Sequence, residues 1–108
     1  MQAEEDLHII ADRLSPSNLS GEGWTATYNN DNRPYFILDF GTTFSGPAVV
    51  VAMTSVGDSR IPNVQEYMDG GSVDPNRYYV YDYNDSDPNS SSGGTFQFMA
   101  VGPRATAP

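Results

Sequence analysis

Cysteine and lysine are both absent from this chain of 108 residues. Without cysteine there is no disulfide framework, no thiolate nucleophile and no zinc–thiolate site. Without lysine the basic side chains are five arginines, set against fourteen carboxylates, and the formal charge is −9. Such a field repels phosphate, so nucleic acid and anionic membranes are poor partners. Long apolar runs are missing too. The longest, Ala48 to Met53, falls far short of the ~20 residues of a membrane-spanning helix, and no membrane insertion is expected. The opening MQAEED is acidic and lacks the basic and apolar regions of a classical signal peptide, so none is expected. The single histidine, His8, has no serine and aspartate that the sequence places beside it. No pair of carboxylates stands in an apolar context that would raise a pKa. The expectation is a protein that is not an enzyme and needs no cofactor.

What is present favours β structure. The length fits one domain, expected over 7–104, with 1–6 a disordered or linking segment and 105–108 a tail. Strands are predicted at 24–28, where Trp24, Ala26 and Tyr28 alternate with threonines, and at 35–40, where Phe36, Leu38 and Phe40 alternate with Ile37 and Asp39. Further strands are expected at 47–55, 61–68, 77–83 and 95–101. Turn-rich segments separate them at 15–23, 29–34, 69–76 and 84–94. Residues 7–14 fit either a helix, through Leu7, Ile10 and Leu14, or a strand, through Leu7, Ile9 and Ala11. Strand is preferred because everything downstream is β. The fold class is all-β, a six- to seven-stranded antiparallel β-sandwich. Its expected core is Phe36, Leu38, Phe40, Val49, Val51, Tyr78, Val80, Phe96 and Phe98.

The run Ala48-Val49-Val50-Val51-Ala52-Met53 is apolar on both faces of its strand, whereas a sandwich strand normally shows water a polar face. The expectation places Val49, Val51 and Met53 in the core and leaves Ala48, Val50 and Ala52 to be covered. A neighbouring subunit supplies that cover, or else 7–14 does so as a helix in a monomer.

Several side chains are candidates for binding. Tyr79, Tyr81 and Tyr83 form a ladder on one face of 77–83, opposite Tyr78 and Val80. A phenol joins an apolar ring to a polar tip, which suits sugar faces and protein interfaces, although cross-strand packing on a half-exposed sheet explains the ladder equally. Trp24 joins them as a ligand contact or as core. Arg60 and Arg77 fit a ligand carboxylate or surface ion pairs. Asp85, Asp87 and Asn89 begin like a calcium loop, but Ser90 stands where glycine is required and Phe96 where a bidentate glutamate is required. Asp85 and Asp87 are therefore only weak metal candidates, and no metal requirement is expected.

The spacing F-x-L-x-F-x3-F-x2-P-x-V, carried by Phe36, Leu38, Phe40, Phe44, Pro47 and Val49, resembles the middle of H-type lectin domains and their bacterial and phage-associated relatives. The closing FQFMAVG at 96–102, the pair Gly23-Trp24 and the pair Arg77-Tyr78 fit the same group, so the likeness covers about 7–104. It implies a six-stranded antiparallel sandwich assembled as a homotrimer, binding N-acetylgalactosamine or a related glycan near subunit boundaries. Two functions follow as expectations. One is a carbohydrate-binding or adhesion module. The other is a structural trimer of a virion or secretion particle, such as a tail-fibre tip or a capsid decoration protein, in contact with other particle proteins. Either places the chain outside the cell or on a particle surface, reached without a classical signal peptide. A small oligomerisation domain within a longer bacterial surface protein, with no ligand of its own, is the third reading.

Overall fold

The computed structural model describes residues 7–29, 34–54, 60–84, 87–92 and 95–105, with the backbone alone for 60, 83, 84 and 87–92. Nine strands are present among them: β1 (Leu7–Leu14), β2 (Ser20–Gly21), β3 (Trp24–Asn29), β4 (Tyr35–Asp39), β5 (Val49–Thr54), β6 (Arg60–Asp69), β7 (Ser72–Asn84), β8 (Asp87–Ser92) and β9 (Phe96–Pro103). They form two antiparallel sheets packed face to face. The smaller runs β1-β9-β5, and the larger runs β2-β3-β4-β7-β6, with β8 also on β7. The predicted all-β sandwich is therefore the fold. All seven predicted strands are present, and residues 7–14 form a strand along its whole length against β9.

Aromatic side chains on alternating positions fill the space between the sheets. From the smaller sheet, β9 sends in Phe96, Phe98, Ala100 and Gly102, while β1 sends in Ile10 and Leu14. From the larger come Trp24, Phe36, Leu38, Tyr78 and Val80, and Phe40 and Phe44 follow β4. The rings meet edge to face: Trp24 on Phe98 at 5.1 Å and Phe36 on Phe96 at 5.9 Å. Such pairs are each worth ~0.5–1.5 kcal/mol beyond the area they bury. Phe44 also presses on Gly102, where a Cβ would lie 2.8 Å from its ring, so only glycine fits. Tyr78 ties the two sheets by a hydrogen bond. Its hydroxyl accepts from the Ala48 amide just before β5 and lies 3.1 Å from the carbonyls of Ala48 and Pro75.

Three expectations need correction. First, Val49 and Val51 are not core: they are 70% and 52% exposed, and Met53 lies outward with them. Ala48, Val50 and Ala52 pack against the core instead. An all-apolar strand carries no period-2 signal to say which row turns inward. The register with β9 decides it, because Val50 stands opposite buried Ala100 and Ala52 opposite buried Phe98. Second, 84–94 is not wholly a loop. Residues 87–92 pair with β7 despite a run of Asp, Pro, Asn and Ser that disfavours strands. The backbone of β7 beyond Val80, which β4 leaves free, supplies the template. Third, the turn at 69–76 is much shorter. Gly70 and Gly71, at φ 62° and 92°, close a two-residue hairpin between Asp69 and Ser72, the positive-φ pair that this tight turn demands. The strand then resumes, and its register shifts between Glu66 and Tyr67, so that Pro75, Asn76 and Arg77 stand as extra residues. A bulge accommodates Pro75, which has no amide hydrogen to give the ladder.

Phe40 is 2% exposed and touches Phe44, Tyr78 and Phe98. Phe40→Ala is expected to cost about 3–5 kcal/mol in a denaturant titration; a loss under ~1 kcal/mol contradicts this placement.

Candidate functional site: the tyrosine face of the larger sheet

The side of the larger sheet turned away from the core gathers most of the predicted candidates. β4 places Tyr35, Ile37 and Asp39 there, opposite its buried Phe36 and Leu38. Ile37 stands opposite Tyr79, and Asn63 of β6 stands opposite Tyr81. The Tyr79 ring is flanked by two others, Tyr35 at 5.4 Å edge-on and Tyr67 at 5.0 Å tilted. Amides orient the phenolic tips at the margins: Asn29 donates to the Tyr35 hydroxyl at 3.0 Å and Asn63 donates to that of Tyr81. The result is a row of part-buried rings edged by hydroxyls and carboxamides. Rings of this kind offer stacking area at low entropic cost, and the edges offer directional hydrogen bonds.

Arg77 is committed to this face rather than free to clamp a ligand. Its Nε donates to Asp74 Oδ2 at 2.7 Å, and its Nη2 lies 3.4 Å from Asp69. Its guanidinium lies 4.4 Å over the Tyr67 ring, a cation–π contact. The arginine therefore holds the bulge of β7 to the β6–β7 hairpin and fixes Tyr67 beside Tyr79. The Asn76 amide and then Arg77 hold the Asp74 carboxyl below its usual range, and Asp74 in turn raises the pKa of Arg77. Burial against its neighbours, and next the Tyr67 and Tyr35 phenols, push the Tyr79 hydroxyl upward.

The remaining candidates separate from this group. Trp24 is 2% exposed, and its indole nitrogen donates to Asp12 at 2.9 Å; it is a core residue joining the sheets. The strand positions of Arg60 and Tyr83 are described, pairing with Asn84 and Ile61, but their side chains lie outside the described residues. Asp85 lies outside them as well, and Asp87 is described only as backbone of β8. His8 packs edge-on against Phe44 at 5.8 Å. Sequence reasoning missed Tyr35 and Tyr67 as members of the face. Their signal was the alternation itself, Tyr35 out of phase with Phe36 and Tyr67 in phase with Asn63, and it needed only the strand order to be read. A shallow cleft beside Trp24, Asp39, Phe40 and Thr43 offers less. Asp39 already accepts from the Gly41 amide, and Thr43 already donates to the Gly23 carbonyl.

No protein-family model matches the chain, and no significant match is found among curated proteins or solved structures.

The pKa directions give two expectations. Asp74, whose folded pKa is lowered, contributes stability present above its unfolded value of about 3.9 and lost as pH falls through the folded value. Asp74→Asn is expected to remove that part of the acid limb in melts taken across pH, and an unchanged limb contradicts it. Tyr79, whose folded pKa is raised, contributes stability present below about 10 and lost as pH rises through its higher folded value. Tyr79→Phe is expected to flatten the alkaline loss and to remove one phenol step from the late part of an ultraviolet titration; a late part that is unchanged contradicts it.

Proposed function

We propose that this protein is a non-catalytic carbohydrate-binding module of H-type-lectin type that acts as a homotrimer and takes an N-acetylgalactosamine-like glycan on its tyrosine face. The observation that carries the reading is the contiguous group Tyr35, Tyr79 and Tyr67, edged by Tyr81 with its Asn63 amide. Sugars present one apolar face of C–H groups and a rim of hydroxyls. A half-exposed ring row answers the first, and tyrosine tips with carboxamides answer the second. No covalent step is asked of these residues, and among the described residues none of the three phenols is set beside a base. The aromatic and proline spacing that resembles H-type lectins supports the same class and the count of three.

A structural trimer of a virion or secretion particle is the second reading. The outward apolar row Val49, Val51 and Met53 favours it, because a subunit built into a shell or fibre needs a face that leaves water. The two readings converge if a fibre tip itself binds glycans.

A glycan array probed with the labelled full chain tests the first. Binding to N-acetylgalactosamine-terminated glycans is expected, weakened at least about tenfold, or ~1.4 kcal/mol, by Tyr79→Ala and by Tyr67→Ala with the fold intact by circular dichroism. No glycan bound, together with co-purification on an assembled particle, favours the structural reading instead.

A further inference from the structure

We infer that the outward face of the β1-β9-β5 sheet is the surface through which copies of this chain meet. The inference rests on the homotrimer in the proposed function for its copy number, and on the sheet itself for its location.

Three strands contribute to one face. Pairing sets Ile9 opposite Val101 and Val101 opposite Val49; the next row is Ala11, Met99 and Val51, and the next Arg13, Gln97 and Met53. Leu7 and Pro103 close one end. Ile9 is 61% exposed, and Leu7, Met53 and Met99 are also open. From these exposures the face leaves roughly 600 Å² of apolar surface in water, at the top of what a monomer ordinarily leaves open and near the roughly 800 Å² per partner of a stable interface.

Charge selects the occupant. The chain as a whole stands at −9, so two copies repel through most of their surface. Of the outward positions on these three strands, Arg13 alone is charged. This is the face on which one copy can approach another with the least repulsion. A basic partner would be drawn to the carboxylates elsewhere and gains nothing from a neutral sheet. Three such faces turned toward a common axis parallel to their strands form a closed ring. In that ring β9 lines the axis, and the β5 row of one copy meets the β1 row of the next. Strand height is conserved around such an axis, so Ile9 faces the neighbour's Val49. Val50, which packs against the core, is not part of the contact.

The absence of cysteine makes this testable by disulfide trapping. Within one chain Ile9 and Val49 are separated by β9, about 9–10 Å across two strand spacings, beyond the ~7 Å that a disulfide spans. Any bridge in the double variant Ile9→Cys with Val49→Cys is therefore between copies. The expected result is a covalent species of three copies on a non-reducing gel, with neither single variant trapped beyond background. Val51→Asp is expected to lower the light-scattering mass from three times to one times 11.8 kDa with the circular dichroism unchanged. Trapping that stops at two copies keeps this face as the contact and overturns the trimer. A wild-type oligomer that is neither trapped nor dissociated by Val51→Asp overturns the face and keeps the trimer. A wild-type monomer at high concentration overturns both, and glycan binding at Tyr79 stands or falls on its own array.

Discussion

Phe96 and Phe98 stand on β9, the middle strand of the smaller sheet, and their rings meet Phe36, Phe40 and Trp24 of the larger sheet. This contact sets the phase of every strand around it. Side chains directly opposite in a ladder share a face, so once Phe98 turns inward, Asp12 and Ala52 lie on the same side. Asp12 is thereby brought under the Trp24 indole, where its carboxylate accepts the N–H. The same parity turns Val49, Val51, Met53, Ile9 and Met99 outward, and no local preference of β5 could reverse it. A one-residue slip would carry both phenylalanines out of the core. The apolar outer surface of the smaller sheet is thus a by-product of aromatic packing on the other side.

How much of this was legible followed from where polar residues interrupt apolar ones. In β4 and β9 the interruptions are regular, and Phe36, Leu38, Phe96 and Phe98 could be placed inward from the sequence alone. In β7 Tyr78 and Val80 were legible for the same reason, but buried Asp82 was not, because a carboxylate on an inward row runs against the rule that predicts the rest. In β5 nothing interrupts the run, so strand was evident and facing was not. β8 was illegible because its pairing comes from a neighbour's exposed backbone, which its own side chains do not announce. The tyrosine face was half legible. Tyr79 and Tyr81 share a row by simple alternation, whereas their meeting with Tyr35 and Tyr67 depends on strand order, and Arg77 reaches Tyr67 only because the register shifts at the bulge.

The two outer surfaces of the sandwich differ in kind. The larger sheet carries rings with polar tips and a charged brace of Asp69, Asp74 and Arg77. The smaller carries mostly aliphatic and thioether side chains, with Gln97 and a single charge at Arg13. They lie on opposite sides of a shared core, so anything held on the first points away from anything packed on the second. On the proposed reading, copies joined through the second would present the first outward at once, and multivalent display raises avidity without any new contact.

The pairing of β1 with β9 has a mechanical side. Leu7 stands opposite Pro103, and Leu14 opposite Phe96. Tension applied through the backbone flanking these two strands enters at Leu7 and Pro103, which face one another. The ladder is then loaded one pair at a time, as in unzipping, and not along its whole length, as in shear. What resists at the entry point is a small clasp: Arg104 donates to the Leu7 carbonyl at 3.0 Å, and the Ser45 amide donates to the Pro103 carbonyl at 3.0 Å. Once the clasp yields, each opened pair exposes the next inward position of β9, Gly102 before Ala100, and Phe98 and Phe96 last. The bulky rings of β9 sit at the far end of the zip, so the opening passes its small residues first and reaches its phenylalanines last.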